Sequence, residues 1–185
     1  MKTISILSII FLFGLYVNGQ DVKIPVNYEL KTVDDYAPYA DSVVFAANWI
    51  INNPLNTMKD TRLLANKFIF RWVSGAPTTH IEIKPEFTND VMSDKSNPYS
   101  MDLIMNYIAG MTIIRIENKD ADELITQEAG IRAMLKGYES IRDENKNKFL
   151  EKVLKIEKKG ELTQWVKENA KTYEAKDKTK IIPKD

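Results

Sequence analysis

From Asp34 to Tyr173 apolar side chains return every three or four residues, and most of these runs are closed by Gly, Pro or paired Asn. A helix that buries one face repeats at that period, whereas a half-buried strand alternates every second residue. Only His80-Ile81-Glu82-Ile83 alternates, and one short strand without a partner makes no sheet. The pattern therefore predicts a single all-α domain of six or seven helices, either a helical bundle or a short stack of helical hairpins. One extended crossover is expected around residues 79–84.

The stop signals divide the chain further. A helix is expected over 34–52, with Pro38 in its first turn and Asn52-Asn53-Pro54 at its end. Its run VVFAANWII is apolar on nearly every side, which predicts the central, buried helix. A second spans 57–73, capped near Thr57 or Asp60. Its stripe is Leu63, Leu64, Phe68, Ile69, Trp72 and Val73, and Gly75 and Pro77 close it. The crossover should bury Ile81 and Ile83. A short helix over 85–92 comes next, then a long one from the Asn97 cap and Pro98 to about Asn118, with Met101, Met105 and Met111 in a core stripe. Gly110 within it suggests close contact with a neighbouring backbone. Asp120 and Glu123 have the spacing of a capping box for the next helix. Asp143 can cap a further one through Lys158, ended by Gly160, and a last helix runs from 161 to about 173. Phe45-x3-Trp49-x4-Pro54 recurs as Phe68-x3-Trp72-x4-Pro77, a spacing too short for a helical-hairpin repeat and better read as shared packing logic.

The first nineteen residues read as a cleaved secretory signal: Lys2, the apolar stretch 4–17, then Gly19 before the cut. Those 14 residues fall short of the about 20 that a spanning helix needs. With no Cys there is no lipid anchoring through an N-terminal Cys, no disulfide, no thiol nucleophile and no thiolate metal site. The expected product is periplasmic or extracellular, with an extended lead-in at 20–32, the helical domain at 33–173 and a flexible charged tail at 174–185. It would have no membrane span after signal cleavage.

Lys and Arg total 26 and so do Asp and Glu, a balance that argues against a nucleic-acid partner. The charge is uneven. Residues 20–140 carry 12 basic and 17 acidic groups, while 141–185 carry 13 basic and 9 acidic. The excess in the second part reads as a Lys-rich helical surface and solvated tail, or as a basic patch that touches an acidic partner or lipid headgroups.

Chemistry is sparse. His80 is the sole His, so mechanisms that need two are closed, and neither a G-x-S-x-G elbow nor a Gly-rich phosphate loop occurs. His80 with Glu82 or Glu86 is the one candidate acid–base grouping. Asp34, Asp35 and Asp41 could gather beside Pro38 and are the metal candidates, although acidic groups at helix starts are accounted for by capping. Trp72 precedes a loop and could line a binding cleft with His80. No cofactor is expected.

The segments DYAPYADSVVFAANWIINNPLN (35–56) and FRWVSGAPTTHIEIKP (70–85) resemble those of small exported helical proteins of gram-negative bacteria. The resemblance implies an exported all-α protein and brings with it no activity, cofactor or catalytic residue. The expected function is a non-enzymatic binding or interaction module for an envelope protein or small-molecule ligand. The alternative is an enzyme with a site around His80, Glu82 and the neighbouring carboxylates.

Overall fold

The computed structural model describes residues 24–178, with side chains through residue 170. The expected signal at 1–19, the first residues of the lead-in and the end of the tail lie outside the described residues. Two 3-10 turns, Val33–Asp35 and Ala37–Tyr39, lead into seven helices: α1 (Ala40–Asn52), α2 (Lys59–Val73), α3 (Pro85–Met92), α4 (Ser100–Glu117), α5 (Glu123–Glu139), α6 (Lys148–Lys158) and α7 (Leu162–Lys178). No strand occurs among the described residues, and the fold is the all-α bundle that the apolar period predicts.

The bundle is organised around α4. Its residues Leu103 to Thr112 are buried without a break, and it touches α1, α2, α3 and α5. This corrects the expectation that α1 is central, for Phe45 and Asn48 of α1 face solvent. A helix enclosed on all sides can still carry polar groups where their donors are bonded. Thr112 returns its hydroxyl to the Ile108 carbonyl at 2.7 Å, and Asn106 Nδ2 donates to the Ala133 carbonyl at 3.3 Å.

The short link 118–122 folds α5 back along α4. Contacts move in opposite directions on the two helices: Arg115 meets Glu123, Gly110 meets Ala129 and Asn106 meets Ala133. This crossing is close because Gly110 and Gly130 lack side chains. A Cβ on Gly110 would stand 2.5 Å from the Ala129 carbonyl oxygen, and one on Gly130 would stand 2.7 Å from the Tyr107 ring. Helices α1 and α2 cover one flank. The lead-in is pinned to them by Tyr28, which stacks edge-on against Phe68 at 4.9 Å. Helices α3, α6 and α7 close the other flank around Trp165, whose ring lies 5.5 Å from Phe87 and 6.1 Å from Phe149.

Several local expectations change. On α2 the inward stripe is Arg62, Ala65, Phe68, Ile69 and Trp72, while Leu63 is 68% exposed and Leu64 is also exposed. The cause is Arg62. Only 2% exposed, it reaches under α1 and donates to the carbonyls of Ile50 (3.0 Å), Asn53 (2.6 Å) and Pro54 (3.1 Å). These are carbonyls at and just past the end of α1, where the helix itself supplies no donor. The α2 start is Met58 in a left-handed conformation (φ 48°), and Thr57 turns its hydroxyl to Pro54 instead of capping. The Asp120 box does not form. Asp122 caps α5 by accepting from the Leu124 amide at 2.7 Å, while Glu123 turns to Arg115. Asn147, not Asp143, caps α6 through the Leu150 amide at 3.1 Å. Met101 leaves the methionine stripe at 63% exposure. The Phe-Trp-Pro echo has no structural counterpart, since Phe45 is exposed and Phe68 fully buried.

Candidate functional site

The crossover between α2 and α3 is where the bundle departs from plain helix packing. It is extended as expected, but it buries Thr79 and Lys84, half-buries Ile81 and leaves Ile83 44% exposed. The period of two is overridden because the segment lies across helix ends and is held by polar contacts. Gln127 of α5 donates from Nε2 to the Glu82 carbonyl at 2.8 Å and to the Glu123 carboxylate at 2.6 Å, and its Oε1 accepts from the Tyr107 hydroxyl. Lys84 Nζ meets Glu82 Oε1 at 2.9 Å. Burial pulls the Lys84 ammonium down, but the Glu82 hydrogen bond and the charges of Glu82, Glu86 and Glu123 outweigh it and leave the group above its ordinary value. Burial pushes the Tyr107 phenol up, with the same carboxylates acting in the same direction, so it stays a donor. This network fixes the crossover to the α4–α5 pair.

Beside the fixed crossover a cleft of about 340 Å³ opens between the second 3-10 turn, the α2 end and the α4 end. Trp72 forms its inner wall. The indole Nε1 donates to the Tyr36 carbonyl at 2.9 Å, and the two rings lie 6.3 Å apart at 57°. Gly75 permits this, because a Cβ there would fall on the Tyr36 phenol. Ala37, Pro77 and Ile116 add apolar lining. The polar groups are few: Thr78, Thr79, Asp34, Lys119 and Arg115. The Arg115 guanidinium is anchored by the Ala121 carbonyl at 2.6 Å and the Glu123 carboxylate at 2.5 Å, which sets its position before any ligand arrives. Mostly apolar walls with a few oriented polar groups, in about this volume, are what small-molecule sites offer.

The expected site residues are distributed rather than gathered. Trp72 and His80 line neighbouring clefts that share Thr79. The His80 cleft, of about 350 Å³, is walled by Phe70, Ile81, Ile83 and Ile108. His80 is exposed, and Glu82 spends its carboxylate on Lys84. Asp34 lines the Trp72 cleft. Asp35 accepts from the Thr32 and Lys31 amides, each at 2.7 Å, and these bonds, that of Thr32 first, hold its carboxyl below the ordinary range. Asp41 is exposed in the first turn of α1. Among the described residues no three His, Asp or Glu side chains come close enough to share a metal ion. Sequence reasoning missed Tyr36, Arg115 and Lys119. The Gly75 signal was visible as a helix stop, but not as the seat of a ring 39 residues earlier in the chain.

Set against known protein families, curated proteins and solved structures, the chain matches none of them.

Proposed function

We propose that this is an exported, non-enzymatic binding protein that receives a small amphipathic ligand in the Trp72 cleft. The observation that carries the reading is the cleft itself: an aromatic wall of Trp72 and Tyr36, apolar sides, and an Arg115 guanidinium already held in place at one end. Apolar surface supplies affinity and the fixed cation supplies orientation, without a nucleophile or an acid–base pair. Export is supported by the order of the first nineteen residues, basic, apolar and then small.

The dye 1-anilinonaphthalene-8-sulfonate has the required form, an aromatic body with one anionic group. It should bind the folded chain at a single site, with near-ultraviolet dichroism unchanged. Ala37 lies on the cleft wall and is exposed, so Ala37→Trp fills the space without disturbing the core. Loss of dye binding in that variant supports the site. Binding that persists there, or that appears only as the dichroism collapses, refutes it.

A further inference from the structure

We infer that the outer face of α6 is a docking surface for anionic lipid headgroups. Lys148, Lys152, Lys155 and Lys159 follow one another at intervals of four, three and four, which places them on one side of the helix and its final turn. Lys146 extends the row at the helix start, and together they line an open groove of about 720 Å³. All five are exposed, and none makes an ion pair with another described residue.

The one acidic side chain in the groove, Glu151, is already committed. It is bonded by Arg142 at 2.6 and 2.8 Å and by the Tyr138 hydroxyl at 2.8 Å, with its carboxyl held down at about 2. The lysines therefore face outward with little local compensation. The opposite face of α6 is spent on the core through Leu150, Val153 and Leu154, so the helix cannot turn the row inward.

The chemistry of the row favours a headgroup layer. It contains no Arg, so it offers mobile point charges rather than the planar forks that read single carboxylates or phosphates in fixed geometry. Rows of four to eight cations on a surface helix attract anionic leaflets in this diffuse way. The balanced charge of the whole chain lacks the broad basic footprint of a nucleic-acid binder.

The test uses the full chain with phosphatidylcholine vesicles, with and without phosphatidylglycerol, in a flotation assay. Lys2 gives the apolar leader an attraction of its own to anionic lipid, so the readout is the difference between the parent and the α6 variant in the same vesicles. The chain should favour the anionic vesicles at about 0.1 M salt and lose that preference near 0.5 M. Lys148→Gln, Lys152→Gln, Lys155→Gln and Lys159→Gln combined should weaken anionic binding on the order of a thousandfold. Lys67→Gln with Arg71→Gln, exposed cations on α2, should leave it within about twofold, and helical dichroism confirms that both variants fold. Equal binding to the two lipids overturns the inference, as does an α6 variant that binds like the parent. A preference for soluble polyglutamate or single-stranded DNA over the anionic vesicles also overturns it and places a soluble polyanion in the groove.

Discussion

Arg62 shows how one side chain can do what a capping sequence does elsewhere. Asn52, Asn53 and Pro54 stop α1, but the carbonyls of Ile50, Asn53 and Pro54 would lose the donors that Arg62 brings from the next helix. Burial lowers the Arg62 guanidinium from its ordinary value, the nearby Asp102 opposes this, and the Trp49 ring lies 5.8 Å from the charge. Arg62→Met keeps the apolar stem and removes the donors. It should cost about 3 kcal/mol of unfolding free energy, measured by urea denaturation, because buried acceptors are left unmet. A loss under about 1 kcal/mol would mean that water satisfies those carbonyls. Glu151 offers a second residue-scale test. The Arg142 hydrogen bond, then that of Tyr138, holds its carboxyl down at about 2 against an ordinary 4.5. A depressed carboxyl stabilises the fold above its unfolded value and loses that contribution as pH falls. The midpoint in urea should therefore drop between about pH 4.5 and 2, and Glu151→Gln should flatten that part of the profile.

At the scale of elements, the α4–α5 crossing sets the geometry of the rest. Alanine is the better helix former by about 1 kcal/mol, so Gly110→Ala would stabilise an isolated helix. Here the Ala129 carbonyl oxygen, a backbone atom, occupies the space. The net result should be a destabilisation of about 2 kcal/mol, read from thermal or urea melts, as in other overpacked cores. The tight approach was legible in the sequence as a lone Gly in an apolar run. Also legible were α3, with Pro85 in its first turn, and the stop at Gly160, whose φ of 76° suits a residue without a side chain. Other features had no local signal. The rank of α4 over α1 depends on which helices surround it, and an apolar run does not name its neighbours. Asp120 and Asp122 can both cap α5, and the choice was settled by Arg115, which draws Glu123 away from the box. The Trp72 cleft was half legible: the Trp before a loop marked one wall, whereas Tyr36 and Arg115 reach it from distant parts of the chain.

For the whole molecule, the helices enclose a continuous core from Val43 to Val166, and among the described residues the crossover is the one long extended connection laid over it. The Lys84, Gln127 and Tyr107 contacts keep that connection in place, and the cleft takes its shape from it. Among the described residues no helix is long and apolar enough to cross a membrane. The described part therefore presents two distinct surfaces, a small apolar cleft at Trp72 and a lysine row on α6, on well-separated segments of the chain. The three indole N–H groups give the most direct reading of the cleft. In a proton–nitrogen correlation spectrum of the labelled chain, with the Trp72 signal identified by Trp72→Phe, titration with 1-anilinonaphthalene-8-sulfonate should shift the Trp72 indole. Those of Trp49 and Trp165 should stay in place. Shifts at Trp49 or Trp165 with Trp72 unmoved would contradict the account.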